Sequence, residues 1–247
     1  MDFTPTEERL SRHASSWMRR NKTKRMLVEK FIALEENPSQ ENPILFFTAG
    51  SPGAGKTEFL KGLSQRVENS ELAPIAIIDP DEIRNLIPEY DGSNSYLFQN
   101  AVSIGISDLF RKAVSRKQNF ALDGTFSNFQ RAKQNIDQAL TNYGNATIYY
   151  LFQIPSVAWE FTKKREALEG RNIRISDFVE KLIDSKETVE KIKKKYNDKI
   201  KLHLVVKDFN DTEQNSEITN VFLDISDIEE YLDFIYTKDN VLKGLDA

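Results

Sequence analysis

Eight residues, Gly50-Ser51-Pro52-Gly53-Ala54-Gly55-Lys56-Thr57, have the spacing G-x-x-x-x-G-K-[ST]. That combination suits a phosphate chain. The glycines let consecutive backbone N–H groups turn inward around an anion, and a helix starting at the end of the loop adds partial positive charge. Lys56 can reach the β- and γ-phosphates, and the Thr57 hydroxyl is a ligand for Mg²⁺. The pattern implies binding of a nucleoside triphosphate by Gly50, Ser51, Pro52, Gly53, Ala54, Gly55, Lys56 and Thr57.

If the bound triphosphate gives up a phosphoryl group to a hydroxyl, a carboxylate must stand near the acceptor oxygen to orient it and take its proton. Asp79 and Asp81 flank Pro80 and are candidates: one can face the substrate while the other supports the loop, a metal or the cap of a helix near Glu82. Asp123 ends an apolar run in Phe120-Ala121-Leu122-Asp123-Gly124-Thr125. That is where phosphate-loop proteins hold Mg²⁺ through a carboxylate, although Asp123 could equally cap a helix after Gly124. Thr125 can bond substrate or start that helix. Arg165, Arg171 and Arg174 lie in a basic stretch. Guanidinium groups there can neutralise a transferring phosphoryl from a mobile lid, or stand solvated on the surface.

These residues need elements to hold them. The apolar run Ile44-Leu45-Phe46-Phe47 before the loop and the helix-like stretch after Thr57 give the motif its strand–loop–helix setting. Ile75-Ala76-Ile77-Ile78, residues 120–122, 146–154, 202–206 and 219–223 read as further short strands. Residues 97–115, 126–143 and 225–235 read as helices, and a helix capped by Asp177 with Glu180 carries Phe178, Leu182, Val189, Ile192 and Tyr196 on one face. Residues 165–174 read as a connection. Strands separated by helices imply an α/β fold, a mainly parallel sheet with helices on both faces. In such sheets ligands sit at the carboxyl ends of strands. Gly50, Asp79–Asp81 and Asp123–Thr125 should therefore share one rim.

Residues 1–42 read as a helical N-terminal segment before the domain at 43–247. Thr4 is placed as N-cap, Pro5 at the first helical position and Glu7 at the third. Trp17, Met18, Met26, Leu27, Phe31 and Leu34 form an interrupted apolar stripe. Arg19, Arg20, Lys22, Lys24 and Arg25 read as a solvated face.

The chain has 247 residues, 39% of them hydrophobic, with net charge −4. That suffices for one large domain and argues against a general nucleic-acid binder. No apolar run approaches the roughly 18 residues of a membrane span. The first residues do not form a signal peptide, and the reading is cytoplasmic. With no cysteine and only His13 and His203, disulfides, thiolate catalysis and cysteine-based zinc sites are excluded.

The phosphate loop, Ile77-Ile78-Asp79-Pro80-Asp81, Pro88, Leu122-Asp123-Gly124-Thr125 and the Arg165/Arg174 pair together resemble the zeta-toxin family of P-loop kinases, over roughly residues 43–210. The resemblance implies a P-loop kinase fold with a lid. It also implies ATP- and Mg²⁺-dependent phosphorylation of the 3′-hydroxyl of the amino sugar of UDP-N-acetylglucosamine, as a bacterial toxin, with an antitoxin protein as partner. By position, Asp81 corresponds to the base, Lys56 and Thr57 to the phosphate and Mg²⁺ contacts, and Arg165 and Arg174 to the arginines on the transferring phosphoryl. Two departures stand out. Asp123 occupies a position that is usually glutamate, a shorter reach that can put a water between carboxylate and metal. The family's substrate-contacting glutamate falls near Ser107 or Asp108, and only Asp108 could mimic it.

Two other functions fit parts of the pattern. Asp81-x-x-Arg84 can pair a base with a phosphate-binding arginine, as a polynucleotide 5′-hydroxyl kinase or another small-molecule kinase would need. A non-catalytic nucleotide-binding module would need the loop but not the carboxylates. Residues 1–42 could shield the cleft as a built-in inhibitor or complete the fold.

Overall fold

The structure, a computed structural model, describes residues 3–68, 73–170, 173–210, 215–232 and 237–245. Two helices come first, α1 (Pro5–Met18) and α2 (Asn21–Phe31). The start of α1 is fixed as its sequence suggests. The Thr4 hydroxyl accepts from Glu7 N at 3.3 Å and the Glu7 carboxylate accepts from Thr4 N at 2.8 Å, satisfying two backbone donors that a helix start leaves open.

Strands and helices then alternate: β1 (Leu45–Ala49), α3 (Lys56–Glu68), β2 (Ala76–Ile78), α4 (Pro80–Arg84), α5 (Gln99–Ser115), β3 (Phe120–Leu122), α6 (Phe129–Tyr143), β4 (Ala146–Phe152), α7 (Pro155–Glu169), α8 (Ile175–Tyr196), β5 (Ile200–Asn210), β6 (Asn215–Phe222) and α9 (Lys238–Leu245). The six strands form one sheet in the order β2-β3-β1-β4-β5-β6. All neighbours are parallel except β5 and β6. β1 lies inside the sheet, with Phe47 level with both Leu122 and Ile148.

Strand alternation sends neighbouring side chains to opposite faces, and both faces are covered. Phe47, Ile78, Phe120 and Ile148 belong to the main core with residues of α1, α2, α5, α6 and α8. Phe46, Ile77 and Ala121 pack instead with Leu60 and Val67 of α3. Ala158 of α7, Phe178, Val179 and Leu182 of α8 and Val241 of α9 form a smaller core. No helix among the described residues is long and apolar enough to cross a membrane.

Three local expectations need correction. Arg165 lies inside α7, not in a connection: Pro155 opens that helix at a position that needs no N–H, and Gly170, left-handed at φ 71°, closes it. The helix α8 begins at Ile175 with Arg174 as its N-cap residue, and Asp177 is engaged by the Arg174 guanidinium rather than by a backbone N–H. Of the helix expected over 225–235, residues 233–235 lie outside the described residues and residues 225–232 are no α-helix. They contain one 3₁₀ turn, Glu229–Tyr231, because Ile225 N bonds Leu202 O at 2.8 Å and Ile225 and Ile228 are drawn into the main core.

Candidate functional site

The carboxyl ends of β1, β2 and β3 open on one rim, and the phosphate-loop sequence follows β1 directly. Its course depends on glycine. Gly53 is left-handed at φ +74°, and a Cβ there would fall 2.0 Å from Ala158 O of α7, so no other residue fits without displacing that helix. The loop is tied down from the far side by a residue that sequence reasoning passed over. The Ser185 hydroxyl, fully buried on α8, accepts from Gly50 N at 2.8 Å and donates to Thr125 O at 2.5 Å. Spacing alone gave no signal for Ser185, because only the packing of α8 against β1 brings it there.

Lys56 begins α3, and its amine turns back to the loop, donating to Ser51 O at 2.5 Å and Gly50 O at 3.3 Å. Burial lowers its pKa to about 8, although Asp123 and Asp81 act in the opposite direction. Thr57, next along, donates to Asp123 Oδ2 at 2.6 Å, while Asp123 Oδ1 accepts from the Thr48 hydroxyl of β1 at 2.7 Å. Thr57 and Asp123 thus stand side by side with oxygen donors only. That fits Mg²⁺, which binds through one or two protein oxygens together with waters and phosphates. Asp123 caps no helix. The helix α6 starts at Phe129 under Asn128, and Thr125 does not start it either: the Thr125 hydroxyl pairs with Ser127 Oγ at 2.9 Å.

The two aspartates after β2 have separate environments. Asp79, 6% exposed, is the N-cap of α4 and accepts from Asp81 N at 2.7 Å. Burial first, then the charges of Asp123 and Asp81, raise its pKa to about 6. The Asp81 side chain is 25% exposed. Its Oδ1 accepts from Arg84 Nη1 at 2.5 Å and its Oδ2 lies 3.8 Å from Arg165 Nη2. The Arg84 side chain is only 3% exposed, with its Nη1 committed to Asp81 and its Nε buried without a hydrogen-bond partner among the described residues. The expectation that Arg84 meets a substrate phosphate therefore gives way to one in which it holds a carboxylate in place.

A cavity of about 140 Å³ gathers Thr57 and Lys61 of α3, Asp79, Asp81, Glu82 and Asn85 of the β2–α4 turn, Tyr90, and Arg165 of α7. Lys61, Glu82, Asn85 and Tyr90 carried no motif, and their membership comes from helix packing. Other sequence candidates lie elsewhere. Arg174 is 59% exposed and makes a two-point contact with Asp177, at 3.0 and 2.9 Å, away from the residues of this cavity. Asp108 lines a separate cavity of about 390 Å³ between α5 and the N-terminal helices, pairing with Lys24 at 3.1 Å and with Arg111. Arg171 lies outside the described residues.

Comparison with known proteins gives this geometry a lineage. The zeta toxin family model matches residues 29–223. The chain belongs to the zeta toxin family. No curated protein matches the sequence. Among solved structures, the zeta toxin chain described here is similar to one from the PezAT chromosomal toxin–antitoxin system of the human pathogen Streptococcus pneumoniae, with 18% identity, TM-score 0.56, and coverage of 99% of this chain and 88% of that one. It is also similar to the AvrRxo1-ORF1:-ORF2 structure with ATP, at 11% identity, TM-score 0.56, and coverage of 93% and 72%. At these identities the two structures establish a shared α/β fold. The family match covers all six strands and leaves α1, most of α2 and α9 outside.

Proposed function

We propose that the protein is an ATP- and Mg²⁺-dependent kinase that phosphorylates the 3′-hydroxyl of UDP-N-acetylglucosamine and acts as the toxin of a toxin–antitoxin pair. The observation that carries the kinase reading is the setting of Asp81. It is a partly exposed carboxylate of a cavity it shares with Thr57, held by a buried Arg84 on one oxygen and faced by Arg165 on the other. In this reading the acceptor hydroxyl donates to Asp81, which takes its proton as the acceptor oxygen bonds the γ-phosphorus of ATP and the bond from that phosphorus to the β–γ bridging oxygen breaks, releasing ADP. Lys56 and Arg165 neutralise charge on the transferring phosphoryl, and the loop N–H groups hold the phosphate chain. Thr57 and Asp123 would hold Mg²⁺, whose charge would offset that of the phosphates. Arg174 belongs to this set only if it leaves Asp177.

Membership of the zeta toxin family supports the choice of an amino-sugar nucleotide and of an antitoxin partner. The polynucleotide kinase reading loses its main support, because the Arg84 guanidinium that would grip a strand phosphate is buried against Asp81.

The test is a mass-spectrometric acceptor assay. The protein is incubated with Mg-ATP and a panel of UDP-N-acetylglucosamine, other UDP-sugars, nucleosides and a 5′-hydroxyl oligonucleotide, beside the Asp81→Asn variant. One added phosphate on UDP-N-acetylglucosamine, absent with the variant, is expected. Phosphate on an oligonucleotide or nucleoside would overturn the substrate while leaving the kinase. ATP binding without transfer to any acceptor in either protein would favour the non-catalytic module.

A further inference from the structure

The strand β5 carries a cation that the proposed mechanism does not use. Leu202 and Leu204 face the main core, so Val205 and Lys207 face the other side of the sheet, where α3 and the loop lie. The pairing with β6 steps from Val206↔Asn220 to Lys207↔Ile218, leaving Thr219 as the extra residue on β6 and the alternation of β5 unbroken. Val205 packs with Ala54 and Leu151. Two positions on, Lys207 meets the next residue of the loop: a Cβ on Gly55 would stand 2.1 Å from Lys207 Nζ. The loop therefore rests on the end of β5, with an ammonium against the glycine that precedes Lys56.

Lys207 is 7% exposed. Burial lowers the pKa of its amine, and Glu58 acts the other way. Among the described residues no carboxylate lies within ion-pair distance of Nζ. Lys193, which is as buried, shows the contrast, with Asp224 Oδ1 at 3.0 Å and Ile200 O at 3.1 Å. Glu58 Oε2 stands 3.6 Å from the same Gly55 Cβ position but makes no ion pair with Lys207. A buried ammonium without a direct ion-pair partner costs folding free energy that an uncharged chain of similar length would not. A polyphosphate seated in the loop would supply the missing anion.

We propose that Lys207 is a second phosphate-binding cation of the nucleotide site, acting from the Gly55 flank of the loop while Lys56 acts from its helical end. This deepens the proposed ATP site and rests on it. Lys207 lies 150 residues beyond Thr57, the end of the motif, in a strand whose other residues read only as core, so no pattern in the sequence announces it.

Isothermal titration of the full chain with ATP and with inorganic tripolyphosphate tests the assignment, using the native protein and the Lys56→Met, Lys207→Met and Lys207→Arg variants, each with its thermal midpoint. Removing one charge-assisted phosphate contact should weaken both ligands about tenfold in Lys207→Met. The thermal midpoint of that variant should equal or exceed the native one. Lys207→Arg should keep affinity within about threefold, because the charge remains. If native protein binds ATP and Lys56→Met does not, while Lys207→Met binds both ligands as native does, the inference fails and the ATP site stands. Weaker ATP with unchanged tripolyphosphate would move Lys207 to the nucleoside and overturn the phosphate assignment. Weaker binding with a lower midpoint and no recovery in Lys207→Arg would show structural damage and also overturn it. A native protein that binds no ATP would remove the proposed site and this inference together.

Discussion

Individual residues around the loop sit far from their ordinary protonation behaviour, and the directions differ. Lys56, with a folded pKa of about 8 against an ordinary 10.5, is stabilised by folding only when neutral. Its contribution is present above the unfolded pKa and is lost as pH falls from 10.5 through 8, a cost on the order of 3 kcal/mol at neutral pH. A phosphate chain beside the amine would restore the charged form. ATP binding at pH 8.5 should therefore take up roughly three-quarters of a proton, fading toward neutrality. Titration calorimetry in buffers of different ionisation enthalpy reads this directly, and binding without uptake at pH 8.5 would contradict the coupling. Asp79 is the opposite case. Its folded pKa of about 6 lies above the ordinary 3.8, so its contribution is present below the unfolded pKa and lost as pH rises through 6. Asparagine caps a helix as well as aspartate does. Asp79→Asn should thus stabilise the protein at pH 7.5 by about 1–2 kcal/mol and flatten the dependence of the thermal midpoint between pH 4 and 7. An unchanged or lower midpoint at pH 7.5 would mean that ionised Asp79 is better supported than its burial suggests.

At the scale of elements, much was legible and the losses have physical causes. The strands were readable because parallel strands buried on both faces are continuous apolar runs, as in Ile75-Ala76-Ile77-Ile78, and the α1 start because a capping box is local. The loop, Asp81, Asp123 and Thr57 were readable because one motif and one strand-end rule place them. Ser185, Lys61, Tyr90 and Lys207 were not, since each arrives by packing of a distant element. Arg84 and Arg174 carry the same guanidinium, yet one is buried on Asp81 and the other is exposed on Asp177. Spacing could not distinguish them. The helix α7 has its own consequence for the loop, because Ala158 O stands where a Gly53 side chain would be. Gly53→Ala should lower the thermal midpoint and weaken ATP binding at least tenfold, combining a strained left-handed backbone with displacement of α7. Native ATP affinity in a folded Gly53→Ala protein would show that the loop can leave α7 freely.

At the scale of the whole molecule, the N-terminal helices share their core with the sheet. Met18, Leu27, Phe31 and Ile32 lie in the same buried cluster as Phe47, Ile78 and Phe120. Gly105 of α5 marks one contact near the site: a Cβ there would come within 3.0 Å of Met18 Sδ and 3.1 Å of Ile83 Cγ2. Ile83 belongs to α4, between Asp81 and Arg84, so α1 packs behind the turn that presents the carboxylate. Further ties run across the same boundary, from Lys30 to Glu82 at 3.6 Å and from Asn100 to Ser15 at 2.9 Å. An inhibitory segment that merely covered a cleft could be removed with a gain in activity. Removal of residues 1–40 should instead strip away burial worth about 6–12 kcal/mol from those four apolar side chains alone. Losses of that size match the entire stability of an ordinary domain, about 5–15 kcal/mol. The truncated chain should show no cooperative thermal transition and lose kinase activity along with its fold. A soluble truncation that melts cooperatively and turns over faster than the full chain would reverse the conclusion, making the helices a detachable inhibitor whose burial contributes little to the core.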